Sequence, residues 1–314
     1  MKYLECVTSL RNKWYWYLLV VFLCLFAYAT VGALPLTLIM MFSVFKGGVD
    51  NVQTMEQPTM DFSAMGIDLN LGLAAVLFTF VIMLLTAVVL IRHIHGRSWK
   101  QVINGTNRVR WSRFFFGMLV WGCISLILAV ISYYTEPELY RFQFQPFNFF
   151  IMLVIGLVLV PIQSSSEEFL FRGYLAQGVA SWTKSRWWAL IIPSVLFGLV
   201  HSANPEIIEY GFFLMMPQYI FLGLLLGVMT ILDDGIELAM GVHTINNLFG
   251  MTLVTYKGAA IQTYALFELT ELNPAGEILP LVFTGTLLLA ILAWKYKWNF
   301  KILNQKMEPN PEVG

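Results

Sequence analysis

Two adjacent carboxylates, Glu167 and Glu168, sit inside a stretch that otherwise reads as a membrane helix. The segment Gln163-Ser-Ser-Ser-Glu167-Glu168-Phe-Leu-Phe-Arg172 follows the almost wholly apolar run from Phe147 to Pro161. At membrane depth each carboxylate costs roughly 2.5–3.5 kcal/mol on insertion scales. A chain tolerates that cost by pairing the charges, neutralising them, or lining a wet cavity with them. On a helix Glu168 and Arg172 stand at i and i+4 and can pair. Glu167 points about 100° away and is left free. One carboxylate is held and one is available for chemistry.

Three further polar residues lie in apolar segments: His201, and the pair His243 and Asn247. Glu167 lies about 15 residues before the turn near 182–186 and His201 about 15 after it. At 1.5 Å per residue both stand roughly 22 Å from that turn, hence level in an antiparallel helix pair. His243 and Asn247 are i and i+4 and share one helix face. A free carboxylate in a low-dielectric pocket beside an imidazole can deprotonate water for attack on a carbonyl. A second histidine with a carboxamide can stabilise the developing oxyanion. The set Glu167, His201 and His243 also suits a divalent metal, zinc included, in the three-ligand pattern of catalytic sites. Spacing alone leaves the metal and metal-free readings open. A serine mechanism through Ser164, Ser165 or Ser166 lacks a Gly-x-Ser-x-Gly context, so these hydroxyls are expected to wet the site or bond helix carbonyls.

The elements that must position these residues are membrane helices. The chain has 314 residues, of which 58% are hydrophobic and 12% charged, with mean hydropathy +0.70. A soluble domain carries about 25% charged residues, so an all-α, polytopic membrane bundle is expected. Apolar segments fall near 15–45, 69–91, 114–134, 147–181, 187–203, 211–232, 236–255 and 279–298, giving about eight transmembrane helices. The fourth is over-long, and Pro161 marks an expected kink or break in it. Placing both termini in the cytoplasm puts every Lys and Arg on that side except Lys46, Arg141 and Lys257. That side includes the 92–113 loop and the stretch from Arg172 to Arg186. Acidic residues such as Asp50, Glu56 and Asp61 gather outside; the inner turn Asp233-Asp234-Gly235-Ile-Glu237 is an acidic exception.

With zero net charge and no basic tract, no nucleic-acid partner is expected; lipid is the obvious surrounding. Cys6, Cys24 and Cys123 show no zinc or disulfide spacing and read as buried free thiols. Asn104-Gly-Thr106 matches a glycosylation pattern, but on the inner side. His93 and His95 read as solvated or beside lipid headgroups. Gly223-Leu-Leu-Leu-Gly227 reads as close packing within the bundle, and the tail from Met307 as disordered.

Taken together, Glu167-Glu168-x-x-x-Arg172, Phe197-x-x-x-His201 and His243-x-x-x-Asn247 resemble the three motifs of the CAAX protease and bacteriocin-processing (Abi) family of intramembrane proteases. The likeness covers about 147–255. It sets a catalytic core apart from helices one to three with their basic loop (1–146) and from an outer loop, last helix and tail (256–314). The resemblance implies an endopeptidase acting on a peptide, membrane protein or lipoprotein, with Glu167 activating water and His201 as its partner. It implies His243 and Asn247 on the oxyanion side, Glu168 and Arg172 in support, and either no cofactor or a divalent metal. It also implies a multi-pass protein, here expected in a bacterial plasma membrane. The alternatives are a non-catalytic peptide-binding or bacteriocin-immunity protein, and a proton-coupled transporter, for which no internal repeat speaks.

Overall fold

The computed structural model describes residues 3–7, 12–55, 62–256, 259–260, 262–305 and 307. Lys2, Arg11, Glu56, Asp61, Lys257, Lys306 and the tail 308–314, used in the charge and disorder readings, lie outside the described residues.

The first rod comprises α1 (Trp14–Ala27), a π turn (Tyr28–Gly32) and α2 (Leu34–Met55). Next comes α3 (Leu69–His95), capped by Asp68 accepting from the Asn70 and Leu71 amides and ended by left-handed Gly96. The short α4 (Trp99–Asn104) opens on a Ser98–Gln101 capping box and leads into α5 (Trp111–Thr135). The fourth rod is α6 (Pro146–Glu168), a π segment (Phe169–Leu175) and α7 (Ala176–Thr183). Then follow α8 (Arg186–Val200), α9 (Pro205–Tyr210), α10 (Phe212–Asp233), α11 (Glu237–Thr252) and α12 (Pro274–Tyr296). Three short strands, β1 (Tyr140–Phe142), β2 (Val254–Tyr256) and β3 (Phe267–Leu269), join in the order β1-β3-β2 beside one end of the bundle. The fold is an all-α polytopic helical bundle.

All eight expected segments are helical, and among the described residues six candidate spans are long and apolar enough to cross a membrane. The other two, α8 with 15 residues and α11 with 16, reach only about 22–24 Å against a hydrocarbon core of about 30 Å. Because α8 stops short, His201 caps its end instead of lying inside a helix. Pro161 does not break the fourth rod; α6 runs through it, and the irregularity comes as the π segment after Glu168. Arg172, grouped by hydropathy with the inner loop, is almost fully buried. Met307 is buried in the core, where a disordered tail was expected to start. Among the three free thiols only Cys24 is buried; Cys123 is exposed and Cys6 half-buried. His95 is also buried, sharing a 2.7 Å hydrogen bond with Tyr174, whereas His93 stays on the surface and bonds the Val89 carbonyl.

Helix contacts follow the small residues. A Cβ on Gly241 of α11 would collide with the Phe114 carbonyl of α5, so these two helices approach almost backbone to backbone. A Cβ on Gly223 of α10 would lie 2.7 Å from the Ser194 carbonyl of α8. The Gly223–Gly227 face therefore packs within the chain, as its bland reading expects.

The acidic turn Asp233–Glu237 has its counter-charges in the basic 92–113 loop. Arg110 Nη2 lies 2.6 Å from Glu237 Oε2 and 3.2 Å from Asp233 Oδ2, and Arg113 Nε lies 3.4 Å from Asp233 Oδ2. Burial works against the Arg110 charge, but the hydrogen bond and charge of Glu237, with Asp233, outweigh it and raise its pKa. Asn104 also donates to Glu237 and is itself buried, which leaves no room for a glycan. Removing Arg110 leaves buried Glu237 without a cation among the described residues and buried Asp233 with Arg113 alone. Arg110→Ala is expected to lower unfolding stability by about 3 kcal/mol, read as a lower thermal midpoint in detergent. An unchanged midpoint would contradict this packing.

Candidate active site

The site begins where α6 gives way to the π segment. π turns insert one extra residue per turn and recur at functional positions. Glu168 ends α6 and Arg172 falls four residues on, so the pair anticipated from spacing forms: Arg172 Nη1 donates to Glu168 Oε1 at 2.7 Å. Both side chains are essentially inaccessible, at 0% and 1% exposure. Charges so buried need further partners. Arg172 Nη2 donates to the Gly223 carbonyl at 3.2 Å, and its guanidinium lies 4.0 Å over the Phe197 ring. The Gly223 carbonyl also accepts from Ser194 Oγ at 2.9 Å. The close α8–α10 packing thus delivers the backbone oxygen that Arg172 needs. From the other side the Tyr3 hydroxyl donates to the Arg172 carbonyl.

His243 of α11 shares the same carboxylate, with Nδ1 2.8 Å from Glu168 Oε1. A carboxylate paired with Arg172 can only accept, so Nδ1 carries a proton and Nε2 faces the other way. What Nε2 faces is Glu167, whose Oε2 lies 3.6 Å away. That oxygen is buried and has no hydrogen-bond partner. The other oxygen is held: Gln163 Nε2 donates to Glu167 Oε1 at 2.9 Å. Gln163 Oε1 in turn accepts from Asn247 Nδ2 at 2.9 Å, and Asn247 Oδ1 from Asn246 Nδ2 at 3.2 Å. Trp121 Nε1 of α5 donates to Asn246 Oδ1 at 3.1 Å. Every donor in this chain points toward Glu167. The carboxylate is fixed through one oxygen and open at the other.

Glu167, Glu168, Arg172, His243 and Asn247 are thus brought together. His201 stands apart from them: it makes no direct bond to Glu167 among the described residues. Its Nδ1 bonds the Phe197 carbonyl at 2.7 Å. The Phe197 ring links it to the cluster, with centroids 4.7 Å from the His201 ring and 5.8 Å from the His243 ring. A metal would need three ligands converging on one point. Among the described residues no group of three His, Cys, Asp or Glu side chains does so. Glu167, His201 and His243 are thus not gathered as a three-ligand set among the described residues. Ser164 and Ser166 donate to the Val160 and Gln163 carbonyls, the role expected of them.

Gln163 is the site residue that the motifs do not reveal. Its signal was available, since it stands four residues before Glu167 on one helix face. Asn246 and Trp121 carried no such signal, because their link depends on how α5 meets α11.

Residues 146–249 match the family model described as type II CAAX prenyl endopeptidase Rce1-like. The uncharacterized protein YyaK of Bacillus subtilis (strain 168) is 31% identical over 209 residues, which cover 66% of this chain and 70% of that protein. No solved structure gives a significant match. The matched region contains the whole Glu167–His243–Asn247 cluster and His201. With that identity, coverage and motif set, the chain belongs to the Rce1-like CAAX protease family of multi-pass membrane proteins.

Proposed function

We propose that the protein is an intramembrane endopeptidase that cleaves a membrane-associated peptide or lipoprotein by direct attack of water. The observation that carries this reading is the asymmetry of Glu167, held at Oε1 by Gln163 and unpartnered at Oε2 facing His243. Water bound at Oε2 gives one proton to Glu167 as its oxygen bonds the scissile carbonyl carbon. The carbonyl oxygen becomes an oxyanion, stabilised by the Asn247 N–H that Gln163 leaves free, beside His243, whose own N–H stays on Glu168. The carbon–nitrogen bond then breaks, and the departing nitrogen takes the proton back through Glu167 or His201. His201 supports this through Nε2, the nitrogen left free when Nδ1–H bonds the Phe197 carbonyl. Glu168 and Arg172 fix His243 and take no part in proton transfer.

The test is cleavage of two quenched probes, a prenylated CAAX peptide and an apolar transmembrane peptide library, by purified protein in lipid nanodiscs. Wild type is expected to cut at least one. Glu167→Gln is expected to lower kcat by at least about a hundredfold, and chelator is expected to leave the wild type unaffected. Loss of activity with chelator and recovery with zinc would contradict the metal-free step. Retention of the probes by wild type and Glu167→Gln alike, with no cleavage, would favour the non-catalytic binding reading.

The same reading places both termini in the cytoplasm of a bacterial cell, supported by the Lys and Arg distribution. A C-terminal green fluorescent protein fusion should then be bright and a C-terminal alkaline phosphatase fusion inactive. The reverse pair of results would invert the topology.

A further inference from the structure

His201 is the one motif residue outside the buried cluster, and what holds it is a second group of polar side chains on α9 and α10. The ring stacks on Tyr219, with centroids 4.6 Å apart and planes 22° from parallel. The Tyr219 hydroxyl donates to Glu206 Oε1 and accepts from Asn204 Nδ2 at 3.0 Å. Asn204 Nδ2 also reaches Glu206 Oε1 at 3.1 Å. Glu206 is 3% exposed, its Oε2 has no hydrogen-bond partner, and no cation pairs with it among the described residues. Tyr256 of β2 faces the same carboxylate, and burial followed by the Glu206 charge raises its pKa.

A buried carboxylate without a counter-cation is destabilising in itself. Helix α9 has only six residues, so the fold gains little from it that would require a charge there. What Glu206 does accomplish is to fix the phenol on which His201 rests. Nδ1–H tied to the Phe197 carbonyl sets one rotation of the ring, and the Tyr219 face sets the other. Together they aim the Nε2 lone pair, which lies in the ring plane. We propose that Tyr219 is a positioning residue for His201, and that Glu206 and Asn204 act through it. This rests on the reading of the site as a protease for its kinetic consequence, though not for the geometry.

The experiment compares wild type with Tyr219→Phe, Tyr219→Leu and Glu206→Gln, with Glu167→Gln in parallel, in nanodiscs. Nitrogen-15 histidine spectra give the His201 tautomer, assigned through His201→Gln; the prenylated and apolar probes give kcat and KM. Wild type and Tyr219→Phe, which keeps the stacking face, should show the single Nδ1-protonated form. Tyr219→Leu should show both tautomers and lose roughly a hundredfold in kcat with KM within about twofold. Tyr219→Phe, which keeps the ring but loses the hydroxyl through which Glu206 acts, and Glu206→Gln should each fall about tenfold, between wild type and Tyr219→Leu. A single unchanged tautomer in Tyr219→Leu would overturn the proposal. So would a parallel fall of kcat, KM and unfolding temperature, the mark of a merely structural role. Should Glu167→Gln cut the probes like wild type, the protease reading fails, and the tautomer result still decides whether Tyr219 positions His201.

Discussion

The burial of two neighbouring carboxylates at membrane depth is the constraint to which the rest of the bundle answers. Glu168 is tolerable because Arg172, one turn on, neutralises it, and Arg172 because a backbone carbonyl and an aromatic face also meet it, its Nε alone being left without a hydrogen-bond partner among the described residues. Gly223 supplies a carbonyl, Phe197 a ring, and His243 a second hydrogen bond to the carboxylate oxygen that Arg172 holds, Glu168 Oε1. Each of these requires a close helix approach. The Gly223–Gly227 face lets α10 reach α8, and Gly241 lets α11 reach α5. Small residues in this protein therefore serve the charge pair as much as general packing.

The two carboxylates end in unlike states because they leave the helix in unlike directions. Glu168 meets a cation and a protonated imidazole nitrogen. Glu167 meets a carboxamide at one oxygen and nothing at the other. The chain from Trp121 through Asn246, Asn247 and Gln163 orients every donor the same way. Such a chain is rigid and charge-neutral, so it can hold a carboxylate without quenching it. The account of function depends on this division between a structural and a reactive glutamate.

Much of this was legible in the sequence. Helix periodicity fixed the Glu168–Arg172 pair and the shared face of His243 and Asn247. Hydropathy located all eight helical segments, although α8 and α11 are too short to span alone. The equal depth of Glu167 and His201 was less informative than it looked, because level residues on neighbouring helices need not touch. His243 reaches Glu167, whereas His201 is separated from the cluster by Phe197. Tyr219 and Glu206 were invisible for another reason. A tyrosine in an apolar run and a glutamate in an outer loop look like ordinary membrane-interface residues until the fold stacks one on a histidine and buries the other. Pro161 did not break the fourth rod, because a proline removes one helix hydrogen bond and α6 carries on past it. Met307 and His95 misled because a polar or terminal context says nothing about which core lies beneath it.

The most direct measurement is a pair of double-mutant cycles on unfolding free energy, each sharing Arg172→Met. One pairs it with Glu168→Gln and the other with Glu167→Gln. A structural Glu168 and a free Glu167 predict a coupling of about 2 kcal/mol in the first cycle and close to zero in the second. Equal couplings, or a larger one for Glu167, would contradict the division of roles on which the account rests.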